Sequence, residues 1–196
     1  MDSSFAGRAI LAAAVLVFAL APSLARAQIH VGAGGGVFLP YEGDPGGSVS
    51  VHAQGAFAGR HLRAGGELEY RRFDASLARD FRNVGYDAIF LRFLFHYHFL
   101  PDAVVSPYLG FGTGINVNII TNQERRGTVS GGFTTLAIAG LEAPVPGTGR
   151  LAFFTEARVG TVTDIWKKTR ANWQLDQVGG FTGMAGFRWR FGGDEF

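Results

Sequence analysis

Cysteine is absent from the chain, which excludes disulfide staples and a lipid-modified N-terminal cysteine. Charge is scarce: 17% of residues are charged and the formal net charge is +2. With no domain-wide basic patch, nucleic acid is not an expected partner. Beyond residue 27 no apolar run approaches the ~20 residues that a membrane-spanning helix needs, and no segment sustains a 3.6-residue period. What remains is abundant glycine and phenylalanine, 29 and 18 residues respectively, in a chain that is 47% hydrophobic. That is too apolar for disorder and too rich in glycine for a helical bundle. It fits many strands joined by tight turns.

The first residues form a separate unit. Arg8 leads an apolar run, Ala9–Ala21, followed by PSLARA. Ala25 and Ala27 supply the small residues of an A-x-A cleavage site, so residues 1–27 are expected to be a removed signal peptide. Asp2 weakens the positive start. At ~1.5 Å per residue the apolar run reaches only about 20 Å, short of a ~30 Å hydrocarbon core, which argues against an anchor. The expected organisation is a signal peptide over 1–27, one folded domain over 28–191 and a short tail over 192–196.

Eight alternating segments fill the domain, at about Ile29–Leu39, Ser48–Gly59, Leu62–Phe73, Tyr86–Phe99, Tyr108–Ile119, Gly132–Ala143, Leu151–Gly160 and Asp176–Phe191. In a strand, successive side chains point to opposite faces. One face gathers Val49, Val51, Leu68, Tyr70, Ile89, Leu91, Phe93, Phe95, Leu109, Phe111, Ile115, Val117, Phe153, Val159, Phe181 and Phe187 without a single charge. The other gathers His30, His52, Arg63, Glu67, Glu69, Arg71, Arg92, His96, His98, Glu142, Glu156, Arg158, Arg188 and Arg190. The sixth segment is ambiguous, since both parities carry apolar residues; Glu142 orients it. Phe90, Leu94, Leu136, Ile138 and Phe154 then share the charged face.

Alternation alone also fits a soluble sandwich. Three features favour an all-β, eight-stranded antiparallel up-and-down transmembrane β-barrel. The segments are long enough to cross a bilayer as tilted strands, where ~9–11 residues are needed. Connections after the odd-numbered segments look longer than those after the even ones, the pattern of external loops against periplasmic turns. Aromatics cluster at the segment ends: Tyr97, Phe99, Tyr108, Trp189 and Phe191 towards one rim, Phe38, Tyr41, Tyr70, Phe73 and Tyr86 towards the other, as expected of two interfacial girdles. In such a barrel the apolar face meets lipid and the charged face lines the lumen.

The stretches PYLGFGTGI (Pro107–Ile115), AGLE (Ala139–Glu142), LAFFTEARVG (Leu151–Gly160) and the ending GFRWRF resemble the small outer-membrane β-barrel superfamily of the OmpA membrane domain and OmpX type. The resemblance covers essentially the whole chain after residue 27 and is specific for architecture rather than activity. It implies an outer-membrane location and insertion by the outer-membrane assembly machinery, which reads a last strand ending in an aromatic residue. Phe187, Trp189 and Phe191 fit that signal, with Phe196 a second candidate for the terminal position.

For chemistry the sequence offers little. Lipid A deacylases of similar size carry a His-x-Ser pair, and here the residues two after each histidine are Gly32, Gln54, Arg63, His98 and Leu100. No candidate nucleophile and base stand at supporting spacing, so no enzyme, cofactor or catalytic residue is expected. His96 and His98 would point the same way about 7 Å apart, but without a third ligand they read as hydrogen-bonded lumen residues, not a metal site. An eight-stranded barrel is usually filled by its own side chains. Glu67, Glu69, Arg71, Arg92, Glu142, Glu156, Arg158, Arg188 and Arg190 are therefore expected to pair inside it. In the last long connection, Trp166, Lys167, Lys168, Arg170 and Trp173 form a basic patch with aromatic anchors, a candidate contact for lipopolysaccharide phosphates. The expected role is structural, adhesive or lipid-contacting, in a monomer among outer-membrane lipids. A narrow solute channel is the alternative, and a lipopolysaccharide-modifying enzyme is third.

Overall fold

The computed structural model describes residues 28–41, 43–57, 60–76, 83–121, 129–164 and 179–192. The signal-peptide segment, the basic patch at 166–173 and Phe196 lie outside the described residues. The described chain forms eight strands: β1 (Ile29–Pro40), β2 (Gly43–Phe57), β3 (Leu62–Ser76), β4 (Asn83–His98), β5 (Ser106–Ile120), β6 (Val129–Pro144), β7 (Leu151–Asp164) and β8 (Gly180–Phe191). Each pairs antiparallel with its neighbours in chain order, and β8 pairs with β1 to close the barrel. Closure leaves no sheet edge unpaired, as a lipid environment requires.

The register fixes the shape. A walk along paired residues from His30 passes Gln54, Gly65, Leu94, Gly112, Leu136, Gly160 and Gly180. It returns to β1 at Pro40, not at His30. That stagger tilts the strands to about 35–45° from the barrel axis. Prolines sit where they cost the ladder least. Pro40, Pro107 and Pro144 are at strand ends, Pro45 is at the register shift between Asp44 and Gly47, and Pro101 and Pro146 are in turns.

The two faces separate by parity. Val49, Leu91, Phe93, Phe111, Phe133 and Phe187 are each about half exposed on the outer wall, whereas every one of the fourteen charged or histidine residues assigned to the opposite face is buried in the lumen. A wall that is apolar outside and ionic inside is stable only with lipid around it. The ambiguous β6 follows Glu142, with Leu136 and Ile138 inside.

Two expectations need correction. β2 begins at Gly43, so the first connection is not a long loop. GDPGG, a turn-like composition, is drawn into the wall by pairing with β3 across the bulge. β8 is described from Gly180, and its expected start at Asp176 lies outside the described residues. The girdles also change. Tyr41, Tyr70, Tyr97, Phe99, Trp189 and Phe191 face outward, but Phe38, Phe73, Tyr86 and Tyr108 are buried in the lumen. Their parity matches that of the neighbouring lumen charges, and parity decides over nearness to a rim.

Candidate functional site

The lumen is the most organised part of the molecule, and it divides along the barrel axis. We call the end where β1 starts and β8 finishes the inner end, and the opposite one the outer end. In the outer half, neighbouring lumen positions on β3 carry Glu67, Glu69 and Arg71. Arg71 Nε donates to Glu69 Oε1 at 2.5 Å. Arg92, from β4, reaches Glu67 at 3.0 Å and also binds Glu69. Arg158 crosses from β7 to Glu67 at 2.7 Å and lies 3.6 Å from Glu69. The Ser48 hydroxyl donates a further bond to Glu69. Above this cluster sits a lid of rings: Arg71 lies over Phe38 at 4.5 Å and over Phe90 at 4.8 Å. Phe73 packs against Phe38 on one side and stacks on Tyr86 on the other.

The inner half is built on Glu142 and Glu156. Arg63 spans the lumen from β3 to hold both oxygens of Glu142, at 2.9 and 2.8 Å. Arg188, on the last strand, donates to Glu142 at 2.7 Å and to Glu156 at 2.5 Å. Its Nε donates to His52 Nε2 at 2.8 Å, which makes that ring nitrogen an acceptor. Tyr108 donates to Glu156 at 2.6 Å and stacks on both His96 and His98, with ring centroids 5.0 and 4.6 Å away. His98 Nδ1 meets Ser106 Oγ at 3.0 Å, and Gln54 Nε2 meets His96 at 3.3 Å. Arg158 also contacts Glu156, at 2.6 Å, so the two halves form one network.

Two of these bonds depend on glycine. Gly32 lies in register between His52 on β2 and Arg188 on β8. Gly140 lies likewise between Tyr108 on β5 and Glu156 on β7. Each bond passes directly over the glycine. A Cβ on Gly32 would stand 2.4 Å from His52 Nε2, and one on Gly140 would stand 2.3 Å from the Tyr108 ring.

All nine residues expected to form a lumen ion-pair network lie in the lumen. Eight of them join the network as described, and Arg190 donates to the Gly149 carbonyl at 3.4 Å near the inner rim. Sequence reasoning missed Ser48, Tyr108 and the lid formed by Phe38, Phe73 and Tyr86. It also missed which strands pair across the lumen. Their parity was a usable signal. His96 and His98 lie with ring centroids 6.4 Å apart; among the described residues no group of three potential ligands is placed to hold a metal. Outside, Phe187, Trp189 and Phe191 line the lipid face of β8, with Phe187 edge-on to Phe153 at 5.7 Å.

Closure, apolar wall and ionic lumen together define a small eight-stranded transmembrane β-barrel. No family model matches the chain, and no curated protein is similar to it. Solved structures are. Neisserial surface protein A from Neisseria is similar at 14% identity and a TM-score of 0.58, over 84% of this chain and 97% of that one. A major outer membrane protein of Thermus thermophilus is similar at 16% identity and a TM-score of 0.55, over 84% and 99%. The outer membrane protein OprG of Pseudomonas aeruginosa is similar at 10% identity and a TM-score of 0.51, over 86% and 97%. At these identities the likeness is one of fold.

Proposed function

We propose that the chain is an integral outer-membrane barrel that acts through its wall and outer loops, not through a pore, in envelope integrity, adhesion or lipid contact. The observation that carries this reading is the filled lumen. Glu67, Glu69, Glu142 and Glu156 are each 3% exposed or less and each is held by at least one guanidinium. Opening a solute path would break several buried ion pairs at once. The surface-protein character of the Neisseria relative by fold agrees with this reading.

Planar-bilayer recording tests it: the purified barrel is expected to give no stable conductance, and a stable large conductance would establish the channel alternative instead. The basic patch at Trp166, Lys167, Lys168, Arg170 and Trp173 is proposed to contact lipopolysaccharide phosphates. Replacing its three cations with glutamine should then weaken binding to lipopolysaccharide vesicles without altering heat-modifiability. The reading is non-enzymatic, so expression should leave the mass of lipid A unchanged. For assembly, Phe191→Asp is expected to impair insertion while deletion of residues 192–196 is tolerated; the reverse outcome would make Phe196 the terminal signal.

A further inference from the structure

The lipid-facing wall is not uniform. On β4 its outward positions are Ile89, Leu91, Phe93, Phe95 and Tyr97, all large. On β6 they are Phe133, Thr135, Ala137, Ala139 and Leu141, so the middle of this strand is recessed. Neighbouring strands stand about 4.8 Å apart, which puts β5 and β7 roughly 10 Å from each other with β6 as the floor between them. Leu109 and Phe111 rise on the β5 side and Val159 on the β7 side. Two hollows follow the recess. One, of about 330 Å³, lies between Tyr41, Phe111, Thr135, Ala137, Val159 and Thr161. The other, of about 540 Å³, opens at Ala139 beside Leu109, Leu141 and Ala157.

The outer end of the recess is polar. Thr113 stands opposite Thr135, and Thr135 opposite Thr161, so three hydroxyls cross the wall in one row. All three side chains are exposed on the lipid face. Thr135 and Thr161 share a hydrogen bond of 3.1 Å. Each hydroxyl carries one proton, so that bond uses one and leaves the other to be given elsewhere. Hydrocarbon offers no acceptor, and a hydroxyl without one is costly there. Thr161 lies near the outer end of β7, which finishes at Asp164, and Tyr41 follows β1 at the same end. The hydroxyls therefore lie towards the level at which lipid chains join their headgroups, with Ala137 and Ala139 deeper along β6.

We propose that the recess along β6 seats one acyl chain of an outer-leaflet lipopolysaccharide molecule, whose linking carbonyl accepts a hydrogen bond from the Thr135 and Thr161 pair. The chain lies over Ala137 and Ala139, between Phe111 and Val159. A phosphorylated lipid is favoured because Lys167, Lys168 and Arg170 follow β7 in the sequence. The site gives the lipid contact a definite place on the wall, and so rests on the lipid-contact reading of the function.

Intermolecular NMR cross-peaks read the site directly. The barrel, carrying carbon-13 alanine methyls, is placed in deuterated detergent micelles and titrated with lipopolysaccharide. Acyl-chain protons should give strong cross-peaks to Ala137 and Ala139, and weak ones to Ala33 and Ala185, which face lipid on β1 and β8. Equal cross-peaks at all four would overturn the proposal. So would the same preference from a glycerophospholipid, or contacts from a second barrel at those methyls in place of the chain. Thr135→Val with Thr161→Val should weaken lipopolysaccharide binding at Ala137 about fivefold; unchanged binding would remove the carbonyl contact. Ala137→Leu fills the first hollow and should abolish the preference. Lipopolysaccharide that binds without chain contacts at Ala137 and Ala139 would sink the groove and leave the lipid-contact reading standing. Should a variant fail to fold, the cross-peaks of the unaltered protein still decide.

Discussion

The outer half of the lumen, around Glu67 and Glu69, and the inner half, around Glu142 and Glu156, neutralise their carboxylates by different means. Outside, Arg71, Arg92 and Arg158 converge on two adjacent glutamates of one strand, and Phe38 and Phe90 cover the Arg71 charge. Inside, the glutamates stand on different strands: Arg63 and Arg188 hold Glu142, Arg188 and Arg158 hold Glu156, and Tyr108 adds a neutral donor to Glu156 while His52 accepts from Arg188. A concentrated cluster has no substitute for a lost member. A dispersed one has neighbours that bond onward, so the same kind of damage should cost less.

That contrast can be broken by experiment. The largest expected loss is Glu69→Gln, which takes from Arg71 its carboxylate partner and from Arg92 and Arg158 one of theirs, at about 3–5 kcal/mol. Glu142→Gln should fall below it, because Glu156 and Tyr108 remain beside Arg188. Urea unfolding of both variants in detergent micelles gives the comparison, and equal losses would show that the halves do not differ. Next comes the contrast between inside and outside on one strand. Phe93→Arg places on the lipid face the charge that Arg92 carries in the lumen, at about 2–4 kcal/mol. Its effect should read out as reduced folding into lipid vesicles.

A smaller effect is expected at Gly140. Gly140→Ala drives a methyl into the Tyr108 ring and should cost about 1–3 kcal/mol. Gly66→Ala on the lipid face, where an added Cβ meets nothing within 4 Å, should be close to neutral. Matching unfolding curves for the two alanines would remove the role assigned to that crossing bond. Between these two alanines falls Phe38→Leu, which takes one ring from Arg71 and should cost about 0.5–2 kcal/mol. It should leave the inner half's response to Glu142→Gln unchanged.

Parity makes most of the wall and lumen legible from the order of residues alone, because a period of two needs nothing else. The charge-free face from Val49 to Phe187 and the buried ring of arginines and glutamates both follow from it. Weighing nearness to a rim above parity misplaces Tyr108, Phe38, Phe73 and Tyr86. The start of β2 is hidden by GDPGG, whose local preference for a turn is overridden by pairing with β3. Contacts such as Arg63 with Glu142, or Arg158 with Glu67, are not legible in the sequence. They depend on the stagger of the closed sheet, which is a property of all eight strands together.

Arg188 shows where that closure has its chemical counterpart. It sits on the final strand and bonds His52 on β2, Tyr108 on β5, Glu142 on β6 and Glu156 on β7. Its bond to His52 passes over Gly32 and so crosses the seam between β8 and β1. A barrel whose last strand has not yet docked therefore lacks the cation shared by Glu142 and Glu156. The seam and the inner electrostatic balance are completed in one event, so Arg188 acts as the latch of the cylinder.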